Sequence, residues 1–142
     1  MVSGAAVEKG IVRRFANDQL LTLAKLVVEN ALQPIVEVGT GAVFGYESLM
    51  RGHDRIGFDS PLDLLDQAAA TGQLLALEQM VASRALARFA TLPNFSDTTL
   101  FLNLDVRLIA RGDELIDSVL QHLRQANIPP SSICFELSER FD

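Results

Sequence analysis

Apolar and polar positions along this chain follow two periods, and the switches between them mark out the elements. From Asn17 onward, Leu20, Leu23, Ala24, Val27 and Val28 recur at three- and four-residue spacing, which predicts a helix over Asp18–Glu29 with Asn17 as its cap. Two apolar runs, Leu32–Val38 and Ala42–Met50, then predict strands, and Gly39-Thr40-Gly41 between them predicts a tight hairpin turn, because glycine tolerates positive φ. His53–Asp59 is a polar, glycine-containing loop. Ser60-Pro61 supplies a cap and a first-turn proline for a helix running to Ala70, and Thr71-Gly72 ends or bends it. Gln73–Phe89 continues as a helix with Leu74, Leu77, Val81, Ala85 and Leu86 inward. After a turn at Pro93–Thr98 comes an apolar strand, Leu100–Leu104, then an amphipathic helix at Asp113–Ala126 carrying Leu115, Ile116, Val119, Leu120 and Leu123. Asn127-Ile128-Pro129-Pro130 closes that helix, and Ile133–Leu137 is the last apolar strand.

Near-continuously apolar strands alternating with amphipathic helices predict an α/β fold, a sheet covered on its outer face by helices. Against that background three strand positions stand out. Glu47 interrupts the second apolar run, Asn103 interrupts Leu100-Phe101-Leu102, and Glu136 interrupts Ile133-Cys134-Phe135. A charge inside an apolar strand is costly to bury unless something of opposite sign meets it. Two carboxylates and an amide carbonyl are hard oxygen donors, which suit Mg²⁺ or Mn²⁺ better than Zn²⁺. Blander roles exist for each: Glu47 pairing with Arg51, Asn103 satisfying nearby backbone groups, Glu136 solvated at a strand end. Glu78, in Leu77-Glu78, either lines the same mouth or sits on a solvated helix face. His53 and His122 read as surface residues rather than ligands or bases.

Charge and cysteine content narrow the classes further. The 142 residues carry 12 basic and 18 acidic side chains, a net charge of −6, which argues against a nucleic-acid polymer as partner. A small phosphodiester is compatible with that charge, since a metal ion and one arginine neutralise it locally. The single cysteine, Cys134, has no intramolecular disulfide partner and reads as an inert thiol in a buried strand. No apolar run approaches the roughly 20 residues of a membrane span, so no membrane contact is expected, and a cytoplasmic location is the expectation. Residues 1–16 show no clear period and read as a linker or the tail of an upstream segment.

Four motifs in order give the chain a family likeness. Leu32-Gln33-Pro34-Ile35-Val36, Glu47-Ser48-Leu49-Met50-Arg51-Gly52, Leu102-Asn103-Leu104 and Glu136-Leu137-Ser138-Glu139 together resemble the EAL-domain family, bacterial phosphodiesterases of cyclic di-GMP. The likeness runs from Asn17 to the C-terminus, and the name motif Glu-Ala-Leu is here Glu47-Ser48-Leu49, a small-for-small exchange expected to matter little. The resemblance implies a TIM-like (β/α)8 barrel whose first strand is antiparallel. It implies Glu47, Asn103 and Glu136 as ligands of Mg²⁺ or Mn²⁺, Gln33 and Arg51 as contacts to cyclic di-GMP, and Leu49 as a wall of the guanine pocket. Glu139 takes a loop-stabilising role. Such barrels take about 250 residues, so residues 17–142 correspond to the N-terminal half. The family's second metal and its general base depend on an Asp-Asp pair, a Lys and further residues of the other half. The intact domain is therefore expected to hydrolyse cyclic di-GMP to linear pGpG, and this chain alone to be inactive. Two other functions fit the same residues: a receptor that binds cyclic di-GMP without cutting it, and a half barrel that self-associates, as a homodimer for instance.

Overall fold

The computed structural model describes residues 19–138. The predicted cap at Asn17, the segment 1–16 and Glu139 lie outside them. A helix over residues 19–27 (α1) leads into a sheet of four strands: β1 (Glu29–Val36), β2 (Val43–Arg51), β3 (Thr99–Asp105) and β4 (Ile133–Ser138). The strands lie in the order β1-β2-β3-β4; β1 runs antiparallel to β2, and β2, β3 and β4 are parallel. Helices α2 (Pro61–Ala70) and α3 (Leu74–Phe89) connect β2 to β3, and α4 (Gly112–Ala126) connects β3 to β4. A parallel connection needs such a crossover, whereas the antiparallel pair needs only a turn.

That turn forms where the glycines predict it. The Gly41 N–H donates to Glu37 O at 2.8 Å, the Glu37 N–H donates to Ala42 O at 2.8 Å, and Gly41 takes a φ of 70°. The flanking strands differ from the expected bounds. The sequence places the first strand at Leu32–Val38 and lets the helix run to Glu29, but the helix stops at residue 27 and β1 begins at Glu29. The cause is distant in sequence. The Arg84 guanidinium, on α3, donates to Lys25 O and Val28 O, both at 2.5 Å, and so satisfies carbonyls that end α1. Gly52, with a φ of 93°, packs where a Cβ would lie only 2.8 Å from the Val27 carbonyl carbon, so the chain after β2 crosses tightly over the end of α1.

The helices start and stop by local chemistry. Ser60 accepts the Asp63 N–H at 3.2 Å and donates its hydroxyl to Asp63 Oδ2 at 2.9 Å, with Pro61 in the first turn of α2. Asn127, in the left-handed region with a φ of 54°, ends α4.

Alternation along each strand sends successive side chains to opposite faces. Leu100, Leu102 and Leu104 of β3 are buried under α3 and α4, in clusters with Leu77, Leu86, Phe89, Leu115, Val119 and Leu123. Phe135 of β4 packs against both clusters. Two sequence expectations are corrected by this geometry. Cys134 is exposed, not buried, because it alternates with Ile133 and Phe135 and so falls on the face away from the helices. Ile116, expected inward on α4, is 38% exposed, since Leu115, Val119 and Leu123 already fill the buried stripe.

Candidate functional site

The face of the sheet away from the helices gathers the predicted site residues. Gln33 of β1 is the register partner of Glu47 on β2, and Asn103 of β3 is the register partner of Glu136 on β4. Glu47 pairs in register with Phe101, so it lies two residues short of Asn103's level, and the asparagine side chain spans the offset. Its Nδ2 approaches Glu47 Oε1 at 3.5 Å and Ser48 O at 3.4 Å. With the amide nitrogen turned toward those two oxygens, Oδ1 is the atom left for a ligand. Gln33 and Asn103 are exposed, and Glu47 and Glu136 are half-buried. Space for this face comes partly from Gly45. A Cβ there would collide with Thr99 O and lie 2.9 Å from Phe101 Cε2, so glycine lets β3 and that ring, which also meets Phe44 with centroids 6.0 Å apart, approach β2 closely.

Arg51 ends β2, exposed, and its Nη1 donates to Met50 O at 3.0 Å. Among the described residues no ion pair joins it to Glu47. Arg51 and Leu49 line a cavity of about 250 Å³ at the C-terminal ends of the strands, together with Ser48, Asn103 and Phe135 and, from the helices, Leu62, Leu65, Glu78 and Val81. Of the sequence's candidates, Leu49, Arg51 and Asn103 thus share this cavity, and Gln33, Glu47 and Glu136 flank Asn103 or Glu47 on the open face.

Two further acidic groups belong to the same region, Glu78, which the sequence left between two placements, and Asp105, which it passed over. Glu78 is 6% exposed and lines the cavity, so it does not sit on a solvated helix face. Its spacing carried the signal: residue 78 falls four after Leu74 and four before Ala82, in phase with the buried side of α3. Asp105, 4% exposed at the end of β3, also lines the cavity and is held by Arg107. Asp105 Oδ1 accepts the Arg107 backbone N–H and Nε–H, each at 3.0 Å, while Oδ2 accepts Nη2–H at 2.7 Å. Arg107 Nη1 reaches Asp66 Oδ1 at 3.0 Å. The hydrogen bond to Asp105 is the main reason the guanidinium's pKa is raised, against an opposing effect of burial. This fork fixes the 3₁₀ turn Val106–Arg111 that carries the chain from β3 to α4.

The three candidate donors, Glu47, Asn103 and Glu136, offer only oxygen, two carboxylates and an amide carbonyl, which fits a hard divalent cation. Among the described residues, no helix is long and apolar enough to cross a membrane.

Comparison with known proteins bears on the family and the fold. The family model of the EAL domain matches residues 17–142. A comparison with curated proteins finds no match. Among solved structures, the EAL enzyme Bd1971 in its cGMP-bound form superposes with a TM-score of 0.71 at 17% identity, over 98% of this chain and 38% of that one. The PaMucR phosphodiesterase in complex with c-di-GMP gives a TM-score of 0.63 at 25% identity, over 78% of this chain and 46% of that one. BlrP1 of Klebsiella pneumoniae, in a complex with manganese and cyclic di-GMP, gives 0.63 at 24% identity, over 78% of this chain and 27% of that one. The chain therefore spans less than half the length of each. Its four strands, with the first antiparallel, are the N-terminal part of a TIM-like barrel, and the chain belongs to the EAL-domain family.

Proposed function

We propose that this chain supplies the first half of a cyclic di-GMP phosphodiesterase site. In this reading Glu47, Asn103 and Glu136 hold Mg²⁺ or Mn²⁺. Gln33, Leu49 and Arg51 hold cyclic di-GMP, with Leu49 against a guanine and the planar Arg51 guanidinium on a phosphate oxygen. The observation that carries it is the juxtaposition on the helix-free face: Asn103 within 3.5 Å of Glu47 and in register with Glu136. Membership of the EAL family adds support, as do solved relatives that hold c-di-GMP and, in one case, manganese.

When bound, such a cation polarises a phosphoryl oxygen and lowers the pKa of a bound water. The chain's own part is to bind and orient. Glu47 and Glu136 present their carboxylates from two strands separated by β3, and Asn103 stands between them, its amide nitrogen occupied by Ser48 and Glu47. Arg51 lies at the strand end and lines the cavity, where its guanidinium would meet a phosphate oxygen of the dinucleotide. Residues 17–142 match the family's first half, and the remaining ligands and the base belong to its second. The 142-residue chain by itself is accordingly inactive, and its β4 edge, paired only on the β3 side among the described residues, is the seat of self-association as a homodimer.

Calorimetric titration of the chain with Mn²⁺, then with cyclic di-GMP, tests the reading. Saturable Mn²⁺ binding that Glu47→Ala abolishes is the expected result, with no linear dinucleotide formed on incubation. A Glu47→Ala variant that binds Mn²⁺ as the parent does would overturn the ligand assignment, and turnover by the chain alone would overturn the half-site assignment.

A further inference from the structure

Ser48 is the one residue of the name motif that departs from the family pattern, and it touches more than its size suggests. It points opposite to Glu47, to the helix-covered face, and is 7% exposed. Its Oγ accepts the Nδ2–H of Asn30, itself 4% exposed, at 2.7 Å. Asn30 pairs in register with Met50 and Ser48 with Leu32, so the bond is a diagonal one between β1 and β2. The Ser48 carbonyl meanwhile faces Asn103 Nδ2 at 3.4 Å. One residue is thus gripped from β1 through its side chain and from β3 through its backbone, directly beside Glu47.

The pair is a poor device for stability alone. Asn30 Oδ1 is buried without a hydrogen-bond partner. Reversing the amide would only move the orphan to Nδ2, since one hydroxyl cannot satisfy both ends. A half-satisfied polar pair in an apolar layer costs free energy that two apolar side chains would not. With alanine at position 48, as in the family motif, Asn30 would lose its one partner. We infer that Asn30 and Ser48 form a positioning pair, locking β2 against β1 behind the candidate ligands so that Glu47 and Asn103 keep their mutual geometry before any cation arrives. Both act on the metal through other residues, and neither is one of the proposed ligands. The metal part of this inference rests on the reading of Glu47 and Asn103 given above.

The test uses the 142-residue chain and three variants: Ser48→Ala, Asn30→Leu and the double variant Asn30→Leu/Ser48→Ala. Two readouts are followed beside thermal unfolding. One is the ¹H–¹⁵N side-chain amide signal of Asn103, assigned with an Asn103→Asp control, with its hydrogen-exchange rate. The other is Mn²⁺ affinity by electron paramagnetic resonance. Ser48→Ala is expected to lower the Tm, shift the Asn103 signal and speed its exchange, and weaken Mn²⁺ binding about tenfold, the lower end for partners that orient metal ligands. The double variant removes the unsatisfied groups and is expected to recover the Tm but neither the Asn103 signal nor the affinity. Recovery of all three would show that the pair is packing only and overturn the inference, as would an Asn103 signal unchanged in Ser48→Ala. If the parent chain binds no Mn²⁺, the metal reading fails on its own, and the Asn103 signal still decides whether the pair positions it.

Discussion

Arg107→Ala separates the contribution of a buried fork from that of a surface ion pair, both made by one guanidinium. The side chain of Asp105 is 2% exposed and that of Asp66 is 55% exposed, while Arg107 itself is 36% exposed. Truncation removes the Nε and Nη2 bonds to Asp105 and leaves that carboxylate the backbone N–H of residue 107. Breaking a fully buried pair by removing one partner costs about 3–5 kcal/mol. Water reaches the vacated, partly exposed guanidinium position, and the backbone bond survives, so about 2–3 kcal/mol is the expected loss. Asp66→Ala removes the exposed pair, which should cost below about 1 kcal/mol. Urea unfolding followed by helical circular dichroism reads both; with a slope of about 1–3 kcal/mol per molar, the Arg107→Ala midpoint falls by roughly 1 M or more at unchanged slope. Because the guanidinium's pKa is raised, its stabilisation is fully present below the unfolded arginine value and is lost only as pH rises through the still higher folded value. The Arg107→Ala penalty is therefore flat across neutral pH. A penalty no larger than that of Asp66→Ala would refute the claim that Asp105 depends on the fork.

Two further outcomes follow from the surface of the sheet. Cys134, exposed beside Glu136 on β4, should react with a thiol reagent in the native chain at the rate of an accessible cysteine, and a thiol that reacts only after unfolding would place β4 in the opposite phase. Sedimentation over a concentration series should show reversible association that Leu137→Lys weakens, since Leu137 is 57% exposed on the strand at the sheet edge and charge there opposes edge pairing; a monomer throughout would dismiss the edge as a docking site.

The elements were legible where local chemistry decides them. Ser60-Pro61 starts α2, Gly41 turns the hairpin, and the apolar phase of Leu74, Leu77, Ala85 and Leu86 orients α3. What the sequence could not convey is contact made from afar. The end of α1 is set by Arg84, more than fifty residues downstream of the carbonyls it caps. The phase of β4 depends on which side its helices cover, and a five-residue apolar run does not announce that, so Cys134 was misplaced. Glu78 was placed ambiguously because a carboxylate argues for solvent while its helical phase argues for burial, and the phase prevailed. The gathering of Glu47, Asn103 and Glu136 on one face of the sheet was legible as three polar interruptions in apolar strands. The Asn30–Ser48 bond was not, since serine for alanine looks neutral until a partner on the neighbouring strand is seen.

Strand parity gives this chain two surfaces that tolerate change very differently. On β3, Leu100, Leu102 and Leu104 face the helices, while Phe101 and Asn103 face the other way. Substitution on the open side, at Gln33 or Cys134, alters what a ligand meets and leaves the helix-facing core untouched. Loss of one residue within β3 has no such selectivity, because it inverts every later side chain of the strand. Asn103 would pass beneath the helices and a leucine would take its place in solvent, erasing recognition and core together. Drift in chemistry is therefore open to this face, whereas drift in length is closed, and the spacing within each strand is a tighter constraint on descendants of this chain than the identity of most residues it displays.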